Sequence, residues 1–350
     1  MRVLMFSTDR NETNAESAVT KRQRAYAERL GHIDDIVLCG SDNVRLDTGT
    51  FVALPTNSTT RLMRLFDALK IAKTLQKPDV VTVQDPFETG FVGWLVARKC
   101  KVPLHVQIHT DFLSPEYATL SFLNRVRVWI AGFVLRRASR VRVVSERIGE
   151  SVAKKYALRA PVSVLPVFVD IAKFSHIPRL KHPRFKISLL VLSRLEPEKN
   201  IPLAIRALRE ARASGHDAGL TIAGDGTQRS ILASLARSLG LERFVEFVGR
   251  QDAAVALQTA DILLFPSRYD GYGMAVVEAL AAGVPVLATD VGVARESGSM
   301  VASPAQFAKT LLQWISSGPR TGELKNYPYK DFDEYVQKYC DDIAACARRQ

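Results

Sequence analysis

At 350 residues the chain exceeds what one hydrophobic core usually organises, and its 47% hydrophobic content is ample for two cores, so two domains are expected. No run approaches the roughly 20 apolar residues of a membrane-spanning helix, which excludes an integral helical membrane protein. Net charge is +12 and uneven: residues 1–180 hold 27 basic and 17 acidic side chains, against 21 and 19 in the rest. A positive first half fits a lipid head group, a lipid-linked diphosphate or nucleic acid, or is simply a basic soluble surface.

Met1 leads directly into apolar Val3–Phe6, with no basic segment followed by a long apolar stretch, so no signal peptide is read and a cytoplasmic setting is expected. Short β-branched runs then alternate with longer helical patterns, the mark of parallel sheets flanked by helices. In the first series strands are expected at Val3–Phe6, Ile36–Leu38, Val80–Val83, Leu104–Ile108 and Val141–Val144. Helices are expected between them at Ser17–Leu30, Arg61–Leu75, Thr89–Arg98 and Leu120–Arg137. The second series places strands at Ile187–Leu192, Leu220–Ala223, Val245–Phe247, Ile262–Phe265 and Val286–Ala288, separated by helices at Pro202–Ala213, Thr227–Leu239, Ala253–Gln258 and Met274–Ala282. Each series reads as one doubly wound α/β domain: residues 1–170, a linker 171–186 broken by His176, Pro178, His182 and Pro183, and residues 187–327. Residues 328–350 form a terminal segment whose helix, expected over Asp331–Arg349, is a candidate to pack back on the first domain. Two such domains would leave a ligand cleft at the carboxyl ends of their strands.

The cysteines, Cys39, Cys100, Cys340 and Cys346, show no CxxC or Cys/His spacing, so reduced thiols are expected and no disulfide framework. No histidine spacing suggests a metal site, and the Asp-x-Asp at Asp331–Asp333 opens a helix, where acidic capping explains it; no metal is assigned. No GxGxxG follows the first strand and no GxxxxGK[ST] occurs, which argues against a dinucleotide oxidoreductase and a P-loop NTPase.

The most informative stretch is PSRYDGYGMAVVEALAAGVPVLATDVG, Pro266 to Gly292. Asp270 precedes Gly271, Tyr272 and Gly273 on a loop whose backbone N–H groups are open to an anion, ahead of a helix starting near Met274 and Ala275. Glu278 follows eight residues after Asp270, about one turn into that helix. One carboxylate could hold a sugar and the other a ribose. Arg194 and Lys199 lie just past the strand Ile187–Leu192, beside a helix start marked by Asn200 and Pro202, where two cations can clamp a diphosphate; a solvated pair balanced by Glu196 and Glu198 is the plainer alternative. Gly224, Asp225 and Gly226 form a third loop after a strand, a weak signal alone. His109 closes the strand Leu104–Ile108, where it could meet a sugar hydroxyl or simply bond Asp111 or a carbonyl. The expected helix Leu120–Arg137 carries Phe122, Val126, Trp129, Ile130 and Phe133 beside Arg125, Arg127, Arg136 and Arg137, a surface that packs on its sheet or rests on an anionic membrane.

Together, the Pro266–Gly292 stretch with SRLEPEKN, AGDG, FVGRQD and LPVFVDIAKF resembles the retaining glycosyltransferases of family 4, with likeness across nearly the whole chain. The resemblance implies the GT-B fold, two facing Rossmann-like domains with an interdomain cleft. It further implies that a hexose moves, with retention and without metal or cofactor, from a UDP- or GDP-linked donor to a hydroxyl of a lipid, lipid-linked or saccharide acceptor. Arg194 and Lys199 would hold the donor diphosphate. Asp270 and the backbone of Gly271 to Ala275 would face sugar and phosphate, with Gly224, Asp225 and Gly226 close by. Glu278 would bind the ribose, backbone near Arg250 and Gln251 would meet the base, and His109 would approach the sugar. An anionic membrane surface is a candidate partner, making the protein peripheral on the inner face, and nucleic acid is not. Two departures stand out: Asp270 replaces the usual Glu, and the loop Ser7–Ser17 lacks the glycine pair often found there. They leave room for a nucleotide-sugar-binding protein without turnover, and the architecture for a sugar-nucleotide epimerase.

Overall fold

A computed structural model describes residues 1–348; Arg349, at the end of the expected terminal helix, and Gln350 lie outside the described residues. The chain divides into two compact units, Met1–Pro166 together with the chain from Tyr329 onward, and Val167–Pro328.

The first unit is built on eight strands: β1 (Arg2–Ser7), β2 (His32–Val37), β3 (Leu46–Asp47), β4 (Phe51–Pro55), β5 (Val80–Val83), β6 (Leu104–Ile108), β7 (Arg140–Val143) and β8 (Val162–Val164). They lie in the order β3-β4-β2-β1-β5-β6-β7-β8, parallel except for the β3–β4 pair. β1 is central: Val3 pairs with Ile33 on one side and Val80 on the other. The expected strand at Ile36–Leu38 is extended back to His32, through two aspartates that the alternating pattern disfavours. Asp34 is tolerated because Arg2 forms an ion pair with it at 2.7 Å and the His32 ring lies within hydrogen-bond distance at 3.0 Å. The helix expected over Leu120–Arg137 is found as Phe122–Leu135, and a further short helix, Pro115–Leu120, comes directly before it. Ser121 between them is extended (φ −161°, ψ 156°), and its hydroxyl accepts from the Asn124 N–H at 3.1 Å, so one serine ends one helix and caps the next. Strands β4 and β8 and the helix Glu146–Tyr156 add to the elements expected from sequence.

The terminal helix, Phe332–Ala347, belongs to this unit. Asp331 caps it by accepting from the Glu334 N–H at 2.8 Å. Its buried face carries Tyr335, Val336, Tyr339 and Ile343; Tyr339 stacks on Tyr26 at 4.0 Å, and the Tyr26 hydroxyl bonds that of Tyr335 at 2.7 Å. Asp342, on the same helix, takes His105 Nε2 at 2.9 Å and the Ser163 hydroxyl at 2.6 Å, with Arg140 Nε at 2.5 Å. Burial alone would raise its pKa; these donors outweigh that and hold it well below the usual carboxylate range.

The second unit has six parallel strands, β9 (Ile187–Leu192), β10 (Ala218–Ala223), β11 (Val245–Gly249), β12 (Ile262–Phe265), β13 (Val286–Ala288) and β14 (Met300–Val301), in the order β11-β10-β9-β12-β13-β14. The order reverses between β9 and β12, and such a switch point opens a crevice at the carboxyl ends of these two strands. Its apolar core gathers Leu189, Val191, Ile205, Leu208, Ile222 and Leu264 with Phe307, Leu311 and Trp314 from the helix Phe307–Ser317. The stretch 171–186 is irregular, with a single 3-10 turn at Ile171–Lys173, and it is bonded to this unit: Leu180 N–H donates to Gln258 O at 2.8 Å and Arg179 to Leu257 O at 2.9 Å.

Candidate functional site

The site residues of the second unit arise from the loops that leave the sheet at its switch point. β9 ends at Leu192 and runs into Ser193–Asn200; β12 ends at Phe265 and runs into Pro266–Gly273. Lys199 closes a 3-10 turn, Pro197–Lys199, and Asn200 turns the chain with left-handed backbone (φ 48°) into the helix Ile201–Ala213. Lys199 Nζ thereby reaches Asp270 Oδ2 at 2.5 Å, in a pair whose side chains are 14% and 16% exposed. The other Asp270 oxygen accepts from the Tyr272 N–H at 3.3 Å, so the carboxylate is fixed by its own loop and by a cation from the neighbouring strand end. Arg194 is placed differently: its side chain is 70% exposed and paired with Glu198 at 3.1 Å.

Glycines let these loops crowd together. Gly224 sits just past β10 with φ 148°, and a Cβ there would lie 1.8 Å from the Ser193 carbonyl oxygen. A Cβ on Gly226 would meet Leu195 O at 2.5 Å. Bonds follow from that approach: Leu195 N–H to Asp225 O at 2.9 Å, and Thr227 to the Glu196 carboxylate through both its N–H, at 3.1 Å, and its hydroxyl, at 2.7 Å. The Gly224–Gly226 loop therefore braces the segment that carries Arg194 and Lys199, while the Asp225 side chain points outward to solvent. Gly273, φ 95°, starts the helix Met274–Ala281. Gly292, φ 53°, lies against Tyr272, where a Cβ would come within 2.3 Å of the carbonyl oxygen that accepts from Val293 N–H.

Glu278, on the helix behind that loop, is partly buried, and its carboxylate makes no hydrogen bond among the described residues. Burial pushes its pKa up to about 7, with Asp252 adding to the rise and Lys173 opposing it. Lys173 and Asp252 form an ion pair at 2.7 Å, and Asp252 also caps the helix Ala253–Gln258. Arg250 and Gln251, just before Asp252, are exposed. Lys173 is absent from the residues expected from sequence: its part depends on a pairing across 79 positions, and its own segment has no regular pattern. The fragment LPVFVDIAKF contains it and was the available signal.

His109 lies in the first unit, immediately after β6, with its side chain at the surface. It bonds neither Asp111 nor a carbonyl among the described residues. The protein crowded around the ring, followed by the positive charges of Arg142 and Arg22, holds its pKa below the ordinary imidazole value, so the ring is neutral at pH 7. No group of three or more His, Cys, Asp or Glu side chains among the described residues is arranged to hold a metal ion, and no described helix is long and apolar enough to cross a membrane.

Two family models divide the chain along similar lines: a glycosyl transferase 4-like domain matches residues 18–167, and the group 1 glycosyl transferases match residues 173–331. The chain belongs to the family 4-type glycosyltransferases. Its GT-B fold is shared with the sucrose-phosphate synthase of Thermosynechococcus elongatus, with a TM-score of 0.75 at 16% identity over 99% of this chain and 96% of that one. Among curated relatives, this chain is 29% identical over 240 residues to the alpha-monoglucosyldiacylglycerol synthase of Streptococcus pneumoniae, covering 63% of this chain and 54% of that protein. It is also 29% identical over 240 residues to the 2-deoxystreptamine glucosyltransferase of Streptomyces kanamyceticus, covering 62% of each. The aligned portions thus span between about half and three-fifths of these relatives.

Proposed function

We propose that this glycosyltransferase moves a hexose from a UDP- or GDP-linked donor to a hydroxyl of a lipid, lipid-linked or saccharide acceptor, with retention and without a metal ion. The observation that carries the donor reading is the convergence of Lys199, Asp270 and the Gly273-started helix at the switch point of the second sheet. In this reading Lys199 turns from Asp270 toward the donor diphosphate, joined by the exposed Arg194, and the helix N–H groups face the same charge. Asp270, released, accepts from a sugar hydroxyl. Glu278 accepts from the ribose, and the backbone at Arg250 and Gln251 meets the base.

The acceptor side of the proposal draws on the names of the relatives, one a glycolipid synthase and one a glucosyltransferase of a small aminocyclitol. It also draws on the helix Phe122–Leu135, where Phe122 and Trp129 are each 74% exposed beside Arg125, a combination suited to an anionic membrane surface. A thermal-shift panel of UDP- and GDP-sugars tests the donor. One of them should raise the melting temperature of the wild type by several degrees, and by less in Lys199→Ala. No shift with any nucleotide sugar would sink the donor reading. Sedimentation with vesicles tests the surface: binding to anionic but not neutral vesicles should weaken with salt and fall in Trp129→Ser.

A further inference from the structure

Outside the donor residues, the first unit brings two arginines to one point. Arg10 stands in the 3-10 turn Arg10–Thr13 that follows β1, and Arg64 in the first turn of the helix Arg61–Thr74. Gly40 lies just past β2 between them: one Nη2 approaches the Cβ position of Gly40 to 3.4 Å from Arg10, the other to 3.6 Å from Arg64, with the Ser58 carbonyl oxygen third at 4.0 Å. Neither guanidinium has a carboxylate partner or a side-chain hydrogen bond among the described residues, and Arg64 Nε is buried with no acceptor at all. Two carboxylates close to the arginines in sequence are engaged elsewhere. Asp9 accepts from the Asn11 N–H at 3.0 Å and its side-chain amide at 2.9 Å; Asp67 accepts from Ser58 at 2.8 Å and Lys70 at 3.2 Å.

Two like charges bordering one small space repel each other, and planar forks of this kind bind phosphate oxygens in pairs. The missing component is an anion. We infer that Arg10, Arg64 and the side-chain-free surface of Gly40 form a phosphate-binding site in the first unit, which takes the phosphate of a phosphorylated acceptor. The neighbouring surface narrows the ligand further: Leu62, Met63 and Phe66 on the same helix are 65%, 44% and 59% exposed, so an acyl chain attached to that phosphate would find apolar cover beside it. The phosphate is the shared chemistry; a lipid head group and a soluble phosphorylated acceptor are its two sources. The site does not depend on the donor reading, because all its residues lie in the first unit.

The test is phosphorus NMR of inorganic phosphate titrated with the full chain, in the presence of UDP to occupy the donor residues. Wild type is compared with the double variant Arg10→Gln/Arg64→Gln and with Gly40→Asp. Gly40 has no positive φ, so an aspartate there is sterically acceptable and supplies an internal anion to both arginines. Phosphate should bind wild type at least tenfold more tightly than either variant, with UDP affinity equal in all three. If the double variant does not fold, Gly40→Asp alone decides, and it should melt no lower than wild type. Vesicles of phosphatidylcholine with and without phosphatidate then identify the source. A preference for phosphatidate that vanishes in the variants assigns a lipid head group, and vesicle binding unaltered by the variants assigns a soluble acceptor. Equal phosphate affinity in wild type and Gly40→Asp overturns the site, whatever the nucleotide does; absent binding of both UDP and GDP overturns only the donor reading.

Discussion

Buried polarity separates the two units. In Val167–Pro328 the buried polar side chains are the small hydroxyls of Ser188, Ser267, Thr289 and Ser297, whereas the first unit buries Glu12, Asp34, Asp35, His105, Gln107, Arg142 and Asp342. The second unit is therefore held by apolar burial, and part of its left-handed backbone, at Gly224, Gly273 and Asn200, falls in the loops at the carboxyl ends of the strands. The first unit uses a polar network to bind the end of the chain to the middle of its sheet: Arg142 donates to Gln107 at 2.7 Å, Gln107 to Tyr339 at 2.8 Å, and His105 meets Asp342. A network of this kind is specific about its partners, which suits a contact that must find the correct helix more than 200 residues away.

The sharpest way to break that contrast is Asp342→Ala. It leaves Arg140 without its counter-charge and buried His105 without its hydrogen-bond partner, and should cost about 3–5 kcal/mol of stability in the first unit, measured by urea unfolding with hydrogen exchange to assign the loss. Because the folded pKa of Asp342 is depressed, its stabilisation is complete above the unfolded value and is lost as pH falls through the folded one. Wild type should thus lose more stability on acidification below about pH 4 than the variant does. Leu311→Ala, in the apolar unit, should cost about 2–5 kcal/mol and leave the acid slope unchanged.

Smaller, and confined to the second unit, is the effect expected of Gly224→Ala. The new methyl would overlap the Ser193 carbonyl at a φ that disfavours any side chain, so the Gly224–Gly226 loop must retreat from the segment carrying Arg194 and Lys199. A loss of about 1–3 kcal/mol is expected, together with weaker nucleotide-sugar binding. Wild-type affinity in a stably folded Gly224→Ala would separate the brace from the donor residues.

What could be read in advance follows the same division. The strands β5, β6, β9, β12 and β13 and the helix Ala253–Gln258 have the bounds expected from short apolar runs and their breakers, because local pattern and burial agree there. The helix Phe307–Ser317 carries a readable signal, Phe307, Leu311, Trp314 and Ile315 at helical spacing, but lies beyond the last strand expected and outside the alternating series. The start of β2 is hidden by Asp34 and Asp35: Asp34 is held by Arg2 of β1 and by His32 of β2 itself, and burial followed by the neighbouring Glu12 carboxyl pushes the Asp35 pKa well above the usual carboxylate range. Lys199, Asp270 and Glu278 are legible as chemistry at loop and helix positions. The bond between Lys199 and Asp270 is not, since it joins residues 71 positions apart, and neither is the meeting of Arg10 with Arg64 over Gly40. Spacing along the chain reports which residues share an element; it says little about which elements bring their ends together.

Glu278 gives the finest test, because its charge rather than its presence is at issue. With a pKa near 7 it is mostly protonated at pH 6 and mostly ionised at pH 8. Ribose hydroxyls donate most strongly to the ionised form, so wild-type affinity for a bound UDP- or GDP-sugar should rise by somewhat less than about tenfold across that interval. The donor diphosphate is fully ionised throughout and adds no slope of its own. Stability of the unliganded protein should move the other way: an acid whose folded pKa is raised stabilises below its unfolded value and loses that contribution as pH climbs to about 7, here about 1–2 kcal/mol after allowance for partial solvent access. Glu278→Gln keeps the shape and removes the proton. It should bind the donor with the same affinity at pH 6 and pH 8, about 1–2 kcal/mol more weakly than wild type at the higher pH, and its melting temperature should lose the wild-type slope. Calorimetric titration at the two pH values separates the outcomes; parallel pH slopes in Glu278→Gln and wild type would remove Glu278 from the ribose contact while leaving Lys199 and Asp270 in theirs.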